Sequence, residues 1–200
     1  MATTYLTHTF GSAGNQKTFT VSMWVKKTTL DATEQLFGQQ ASSYFRMIFK
    51  AANNGIRCYS PTFDLTPSQV FRDVSGWYHV CLQMDTTESV AADRANLYIN
   101  GVKVTVFDTE TYPGLNDDLP VNNAQIHQIG RGASTDYFGG LLSYFYFIDG
   151  TAYPASTFGE VDSDTGEWTI NTNPTVTMGT NGFLILKNGN TITDQSSNSN

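Results

Sequence analysis

The stretch FTVSMWV, residues 19–25, alternates large apolar side chains with mostly smaller, polar ones. Successive side chains of a β-strand point to opposite faces, so this alternation predicts a strand with one apolar face and one mixed face. The apolar face holds Phe19, Val21, Met23 and Val25. The mixed face holds Thr20, Ser22 and Trp24. We therefore expect the first face to lie in the core of a sheet protein.

Short β-rich runs separated by Gly, Asn, Asp and Pro continue along the whole chain, and helical periodicity is nearly absent. The predicted strands are 5–10, 17–26, 35–39, 44–50, 56–60, 77–85, 96–100, 103–107, 125–131, 141–149 and 182–187. Asn100-Gly101 predicts a tight hairpin turn, because both positions require positive φ. Helix is confined to single turns at 66–68 and 154–156, each with a proline near its start. A long surface loop is expected over 110–123.

One strand is predicted to be covered on both faces. LLSYFYFI, residues 141–148, carries apolar or aromatic side chains at nearly every position, which is typical of a strand in the middle of a structure. Something must cover its second face. If the monomer leaves that face open, the resulting apolar patch would mark an interface between copies.

Composition limits the classes of protein that the chain can represent. With 200 residues we expect one domain over 1–195, followed by a polar tail at 196–200 that is either a true terminus or a cut through a longer chain. A net charge of −7 disfavours nucleic acid and anionic membranes as partners. No apolar run is long enough to span a bilayer, and the first residues lack a secretory pattern. Cys58 and Cys81 are expected as buried free thiols, with a cross-strand disulfide as the alternative.

Several segments carry a family resemblance. GWYHVCLQMD (76–85) with ANLYINGVKV (95–104), and IHQIGRG (126–132) with YFGGLLSYFYFIDG (137–150), resemble paired strands of concanavalin A-like and laminin G-like jelly rolls. FIDGTAYPASTFGEVDSDTGEW (147–168) and GTNGFLILKNGNTITDQSSNSN (179–200) resemble structural proteins of tailed phages, especially marine ones. The opening residues 9–27 also match that viral version. Together these segments extend over nearly the whole chain.

The resemblance implies an all-β, two-sheet antiparallel jelly-roll sandwich in a virion. The expected function is a non-enzymatic decoration, head-fibre or tail-fibre subunit, assembled in the host cytoplasm and displayed on the virion surface. Its expected partners are capsid or fibre proteins and a host glycan, and a homo-oligomer is expected. Because the sandwich begins close to Met1, a small decoration or head-fibre subunit is favoured. A cellular carbohydrate-binding module is one alternative.

A glycan-active enzyme of the same fold is the other alternative, and it needs paired carboxylates. Residues 160–164, Glu-Val-Asp-Ser-Asp, begin like a catalytic strand, but the next possible Glu is Glu167, beyond Thr165-Gly166. Asp-Thr-Gly at 164–166 is turn chemistry, and a retaining pair must sit about 5 Å apart. An acidic turn exposed to solvent is the favoured interpretation. The same segment lacks the ligand order of an EF-hand loop. No cofactor or metal site is predicted, although calcium at the loop residues Asp117, Asp118 and Asp136 stays open.

Binding candidates are aromatic residues in loops, because flat rings stack on sugars and proteins at low entropic cost. The candidate contacts are Tyr112, Tyr137, Tyr153 and Trp168. Two further residues are assigned to the interior. His79 is expected to be a hydrogen-bonded core histidine, and Trp77 is expected to bury its ring under a sheet edge.

Overall fold

A computed structural model describes residues 3–132, 135–198 and 200. Two antiparallel sheets face each other and enclose the core, as predicted. The seven-stranded sheet runs in the order β1 (Leu6–Thr9), β11 (Ile126–Ile129), β3 (Glu34–Gln40), β4 (Tyr44–Phe49), β5 (Ile56–Tyr59), β6 (Asp64–Pro67) and β10 (Phe107–Thr111). The six-stranded sheet runs in the order β15 (Phe183–Ile185), β12 (Gly140–Asp149), β2 (Thr18–Lys27), β7 (Tyr78–Asp85), β8 (Ala95–Ile99) and β9 (Val102–Lys103).

The alternation in β2 has the predicted structural outcome. Phe19, Val21, Met23 and Val25 are all fully buried between the two sheets. The strand pairs with β7 on one side and with β12 on the other. Because β2 lies inside its sheet, its second face also needs cover, and Thr20 and Ser22 on that face are buried as well.

A second apolar layer covers the outer face of the six-stranded sheet. It is formed by residues 151–178, which include a 3-10 turn (Ala155–Thr157) and the hairpin β13 (Gly159–Val161) and β14 (Trp168–Ile170). Phe158 of this layer packs against Tyr146 of β12, with ring centroids 5.1 Å apart. Thr20 fastens the layer to β2 by donating to the carbonyl of Thr151 and accepting from the amide of Tyr153. The predicted cover over β12 is therefore present within the monomer.

Several local predictions are confirmed. Asn100 and Gly101 form the turn between β8 and β9, with φ of +47° and +78°. Cys58 and Cys81 are buried free thiols, and burial raises the pKa of both. The single turn near residue 154 exists at Ala155–Thr157.

Other local predictions are wrong. Residues 66–68 do not form a helical turn, because Asp64–Pro67 is strand β6 and pairs with β10. The strand predicted over 103–107 is two strands in different sheets, since the chain crosses from β9 to β10 there. The loop predicted from 110 begins only after Thr111, and Leu119 and Val121 anchor it in the core.

The chain end is hydrogen-bonded to a preceding turn. The side chain of Asn200 donates to the carbonyls of Thr180 and Gly182, and that of Asn198 also donates to Gly182. In the described part of the chain, no helix is long and apolar enough to cross a membrane.

Candidate functional site

All three tryptophans of the chain line one groove on the outer face of the six-stranded sheet. The groove has a volume of about 370 Å³ and lies where the second layer ends and the sheet becomes exposed. We call it the tryptophan groove, and it is lined by Trp24, Trp77, Ser143, Tyr144, Trp168, Thr169 and Ile170. Its lining contains no charged side chain and is largely aromatic.

Trp24 forms the floor of the tryptophan groove. It lies on β2 between Ser143 of β12 and His79 of β7, because the strand register places these three residues side by side. The indole ring stacks on the imidazole of His79, with centroids 5.2 Å apart and planes inclined by 27°. Its N–H is buried and has no partner among the described residues, so the ring contributes its face and not a hydrogen bond.

A β-bulge turns Tyr144 towards the tryptophan groove. The register between β12 and β2 shifts between Ser143 and Tyr146, and Tyr144 has a φ of +46°. An extra residue in one strand breaks the strict alternation and redirects the side chains beside it. As a result, the consecutive residues Ser143 and Tyr144 both line the groove, which a regular strand would not allow.

Trp168 forms a wall of the groove and is held on several sides. Its indole N–H donates to Nδ1 of His79 at 3.1 Å. A Cβ built on Gly101 would lie 2.4 Å from the ring, and one built on Gly159 would lie 2.6 Å from it. Both glycines therefore let the backbone approach the indole more closely than any side chain would permit. The position of the Trp168 ring is therefore determined by contacts within the fold.

His79 links the wall to the sheet. Because Nδ1 accepts from Trp168, the ring carries its proton on Nε2, which donates to Oγ of Ser22 at 2.9 Å. His79 is fully buried, and burial lowers its pKa to about 4. The imidazole is thus neutral at pH 7. The prediction of a hydrogen-bonded core histidine is confirmed.

Trp77 contradicts its sequence-based assignment. Its side chain is 40% exposed, whereas the sequence predicted a ring buried under a sheet edge. The residue immediately precedes β7 and lines the tryptophan groove together with Trp24 and Trp168. An exposed tryptophan beside two other tryptophans is a large apolar surface available for a ligand.

The structure separates the four aromatic residues that the sequence proposed as contacts. Only Trp168 lines the tryptophan groove. Tyr153 accepts a hydrogen bond from the amide of Thr177 and packs on Phe158 in the second layer. Tyr112 directly follows β10, and its hydroxyl donates a hydrogen bond to Glu110. Tyr137 packs near Tyr5 and beside Arg131. All four stay predicted contacts.

The acidic segment forms the turn of the β13–β14 hairpin. Oδ1 of Asp162 accepts hydrogen bonds from the amide and hydroxyl of Thr165 and from the amide of Asp164, and these bonds lower its pKa. Glu160 and Glu167 are exposed and lie outside the groove lining. The Asp162 carboxylate therefore stabilises its own turn, as expected for an acidic turn exposed to solvent.

The residues considered for calcium are dispersed. Asp136 forms an ion pair with Arg46 at 2.6 Å, which occupies its carboxylate. Asp117 is partly exposed and Asp118 is exposed in the loop after β10. Within residues 3–132, 135–198 and 200, no group of three or more His, Cys, Asp or Glu side chains is arranged to hold a metal ion.

Sequence reasoning missed Trp24 and Trp77 as members of the site. Both carried a signal, since a tryptophan on the mixed face of a strand and another at a strand start are unusual places for exposed rings. Their convergence depends on the neighbour relation of β2, β7 and β12, which the sequence alone does not state.

Comparison with known proteins places the fold in a family. The sequence model of the concanavalin A-like lectin/glucanases superfamily matches residues 1–156. No curated protein sequence matches the chain significantly.

Solved structures with the same fold share little sequence with the chain. A heptameric SAP-like pentraxin from Limulus polyphemus has a TM-score of 0.54 at 14% identity, with 91% of this chain and 88% of that chain covered. A putative carbohydrate binding protein from Bacteroides ovatus gives 0.54 at 13%, covering 82% and 47%. Domain 4 of AbnA, an extracellular arabinanase from Geobacillus stearothermophilus, solved in complex with arabinotriose, gives 0.51 at 20%, covering 72% and 65%. This chain thus spans about half of the second protein and about two thirds of the third.

Proposed function

Because the chain belongs to the concanavalin A-like lectin/glucanases superfamily, we propose that it is a non-catalytic domain that binds a glycan in the tryptophan groove. The observation that carries this proposal is the convergence of the chain's three tryptophans on one uncharged groove. The sandwich supplies a rigid support, and the groove supplies the contacts. The arrangement of the acidic hairpin argues against a catalytic role for Glu160, Asp162 and Glu167.

The physical basis is stacking. The C–H faces of a pyranose or furanose ring are apolar, and an indole face covers them without losing many rotamers. Trp168 is held in place by His79, Gly101 and Gly159, so little ordering cost remains for binding. Within the same fold, domain 4 of the Geobacillus arabinanase was solved with arabinotriose, which supports a sugar as the ligand class.

Replacing Trp77 tests the proposal most cleanly. Trp77→Ala should weaken glycan binding about tenfold or more, because the exposed ring contributes contact area and little to folding. A glycan array identifies a ligand, and titration followed by tryptophan fluorescence measures the affinity of each variant. The same glycans, incubated with the protein and analysed for release of shorter sugars, should remain intact.

Tyr5→Ala is the matched control, since Tyr5 is 38% exposed, close to the value of Trp77, and lies outside the groove. Its affinity should equal that of the original protein. The proposal fails if no glycan binds, if hydrolysis is observed, or if Tyr5→Ala loses binding while Trp77→Ala keeps it.

We further propose that the domain belongs to a tailed-phage virion, as a decoration or fibre subunit on the particle surface. The support is the similarity of residues 147–168 and 179–200 to structural proteins of such phages. In that setting a symmetric oligomer would present several grooves to a host glycan, which raises avidity. Quantitative mass spectrometry of purified particles should find the chain in fixed copy number. Its absence from particles would overturn this assignment.

A further inference from the structure

A lysine is completely buried where the two sheets meet at one end of the sandwich. Lys27 is the last residue of β2 in the six-stranded sheet and has no exposed surface. Asn54, in the turn between β4 and β5 of the seven-stranded sheet, is 3% exposed. Nζ of Lys27 lies 3.3 Å from Oδ1 of Asn54, so the two side chains connect the two sheets.

The side-chain amine of Lys27 contacts an aromatic ring and has no ionic partner among the described residues. Nζ lies over the ring of Phe49, 4.3 Å from the centroid. Lys27 takes part in none of the ion pairs among the described residues. Burial lowers its pKa, and the nearby charges of Glu34 and Asp31 oppose that shift only in part. A buried amine gives up its proton more easily than an exposed one, and the neutral amine is a nucleophile.

The hydrogen bonds of the Asn54 side chain favour attack on its carbonyl carbon, Cγ. Its Oδ1 accepts the backbone N–H of Asp31 at 2.8 Å, a donor placed to stabilise negative charge on that oxygen. Its Nδ2 donates to Oδ1 of Asp31 at 2.8 Å, so a carboxylate lies beside the nitrogen that would leave. Glu34 is 2% exposed, and its Oε2 has no partner among the described residues, which places a buried carboxylate near Lys27.

We propose that Lys27 and Asn54 join in an intramolecular isopeptide bond. Nζ attacks Cγ of Asn54, a bond forms between Nζ and Cγ, and the bond between Cγ and Nδ2 breaks. The proton that Nζ loses passes to the departing nitrogen, which leaves as ammonia, while Oδ1 of Asp31 accepts the hydrogen bond of that nitrogen. The reaction oxidises nothing and needs no further reactant. The product is an amide that ties the end of β2 to the β4–β5 turn.

Such a bond would stabilise the sandwich in the way that a disulfide stabilises a secreted domain. It closes a loop of the chain between positions 27 and 54 and restricts the unfolded state. Unlike a disulfide, it forms without an oxidising compartment. The only two cysteines of the chain, Cys58 and Cys81, are free thiols.

Intact-mass spectrometry of the denatured full chain tests the proposal. The purified protein should be lighter than its sequence by one ammonia molecule, and proteolysis should yield a branched peptide joining Lys27 to Asn54. Lys27→Met and Asn54→Ala should each show the full sequence mass. Lys26→Met and Asn53→Ala are the matched controls, since each changes the neighbouring residue, and both should keep the mass loss.

Asn54 precedes Gly55, and a succinimide at an Asn-Gly step also releases ammonia. A succinimide hydrolyses at mildly alkaline pH and does not require Lys27, whereas the isopeptide bond persists and does. Asp31→Asn should slow the appearance of the lighter species in freshly made protein, because it removes the negative charge that contacts the departing nitrogen, and it does so at an exposed position. Full sequence mass in the folded original chain after prolonged incubation would overturn the proposal, as would ammonia loss that survives in Lys27→Met. A circular dichroism spectrum checks that Lys26→Met and Asn53→Ala fold, since the bond can form only where folding brings Lys27 to Asn54.

Discussion

Gly101 shows how a single residue determines the shape of the tryptophan groove. It has a φ of +78°, and an added Cβ would lie 2.4 Å from the ring of Trp168. Gly101→Ala therefore combines backbone strain of about 1–2 kcal/mol with overpacking of about 1–3 kcal/mol. The variant should unfold at a lower denaturant concentration and bind glycan more weakly, since Trp168 must move. Urea denaturation and fluorescence titration measure the two effects.

Gly150 offers a matched comparison at the same scale. Its φ is +84°, and nothing lies within 4 Å of an added Cβ. Gly150→Ala should show the backbone strain alone and leave glycan affinity unchanged. Equal losses of stability in both variants, with equal affinity, would contradict the role assigned to the contact between Gly101 and Trp168.

At the scale of elements, the strands with a strong pattern were predictable and the short ones were not. β2 has ten residues, and its alternation identified the core face correctly. β6 has four residues and β13 and β14 have three each, too few for any periodicity to show. Pro67 in β6 also suggested a helix start. It is tolerated because it lies at the end of the strand, where the register with β10 shifts.

The site was less predictable than the fold because it depends on which strands are neighbours. Trp168 was identified from its loop-like surroundings, whereas Trp24 and Trp77 joined the groove only through the order β12-β2-β7. The bulge that turns Tyr144 outward left no signal in the sequence, because LLSYFYFI is apolar at nearly every position. Side-chain alternation determines faces, but sheet order and bulges determine which faces meet.

At the scale of the whole molecule, two buried neutral histidines, one in each sheet, make the free energy of unfolding depend on pH. His79 lies in the six-stranded sheet and His127 in the seven-stranded sheet. Nδ1 of His79 accepts from Trp168, and Nε2 of His127 accepts from the amide of Asn122. Protonation of either imidazole would put a new ring N–H opposite the N–H group from which that nitrogen now accepts. Burial lowers the pKa of each imidazole to about 4.

Stability should therefore fall on acidification well before the carboxylates titrate. The unfolded chain binds protons at these histidines below about pH 6.5, whereas the folded chain does so only near pH 4, so each contribution is full above the first value and is lost towards the second. Between pH 7 and pH 5 we expect a loss of about 2 kcal/mol for each histidine, about 4 kcal/mol for both. Urea denaturation across this range measures the slope. His127→Gln should remove about half of the pH-dependent loss, since a glutamine cannot take up the proton. A free energy of unfolding that stays level or rises from pH 7 to pH 5 would show that the imidazoles are not held neutral by the two hydrogen-bond networks.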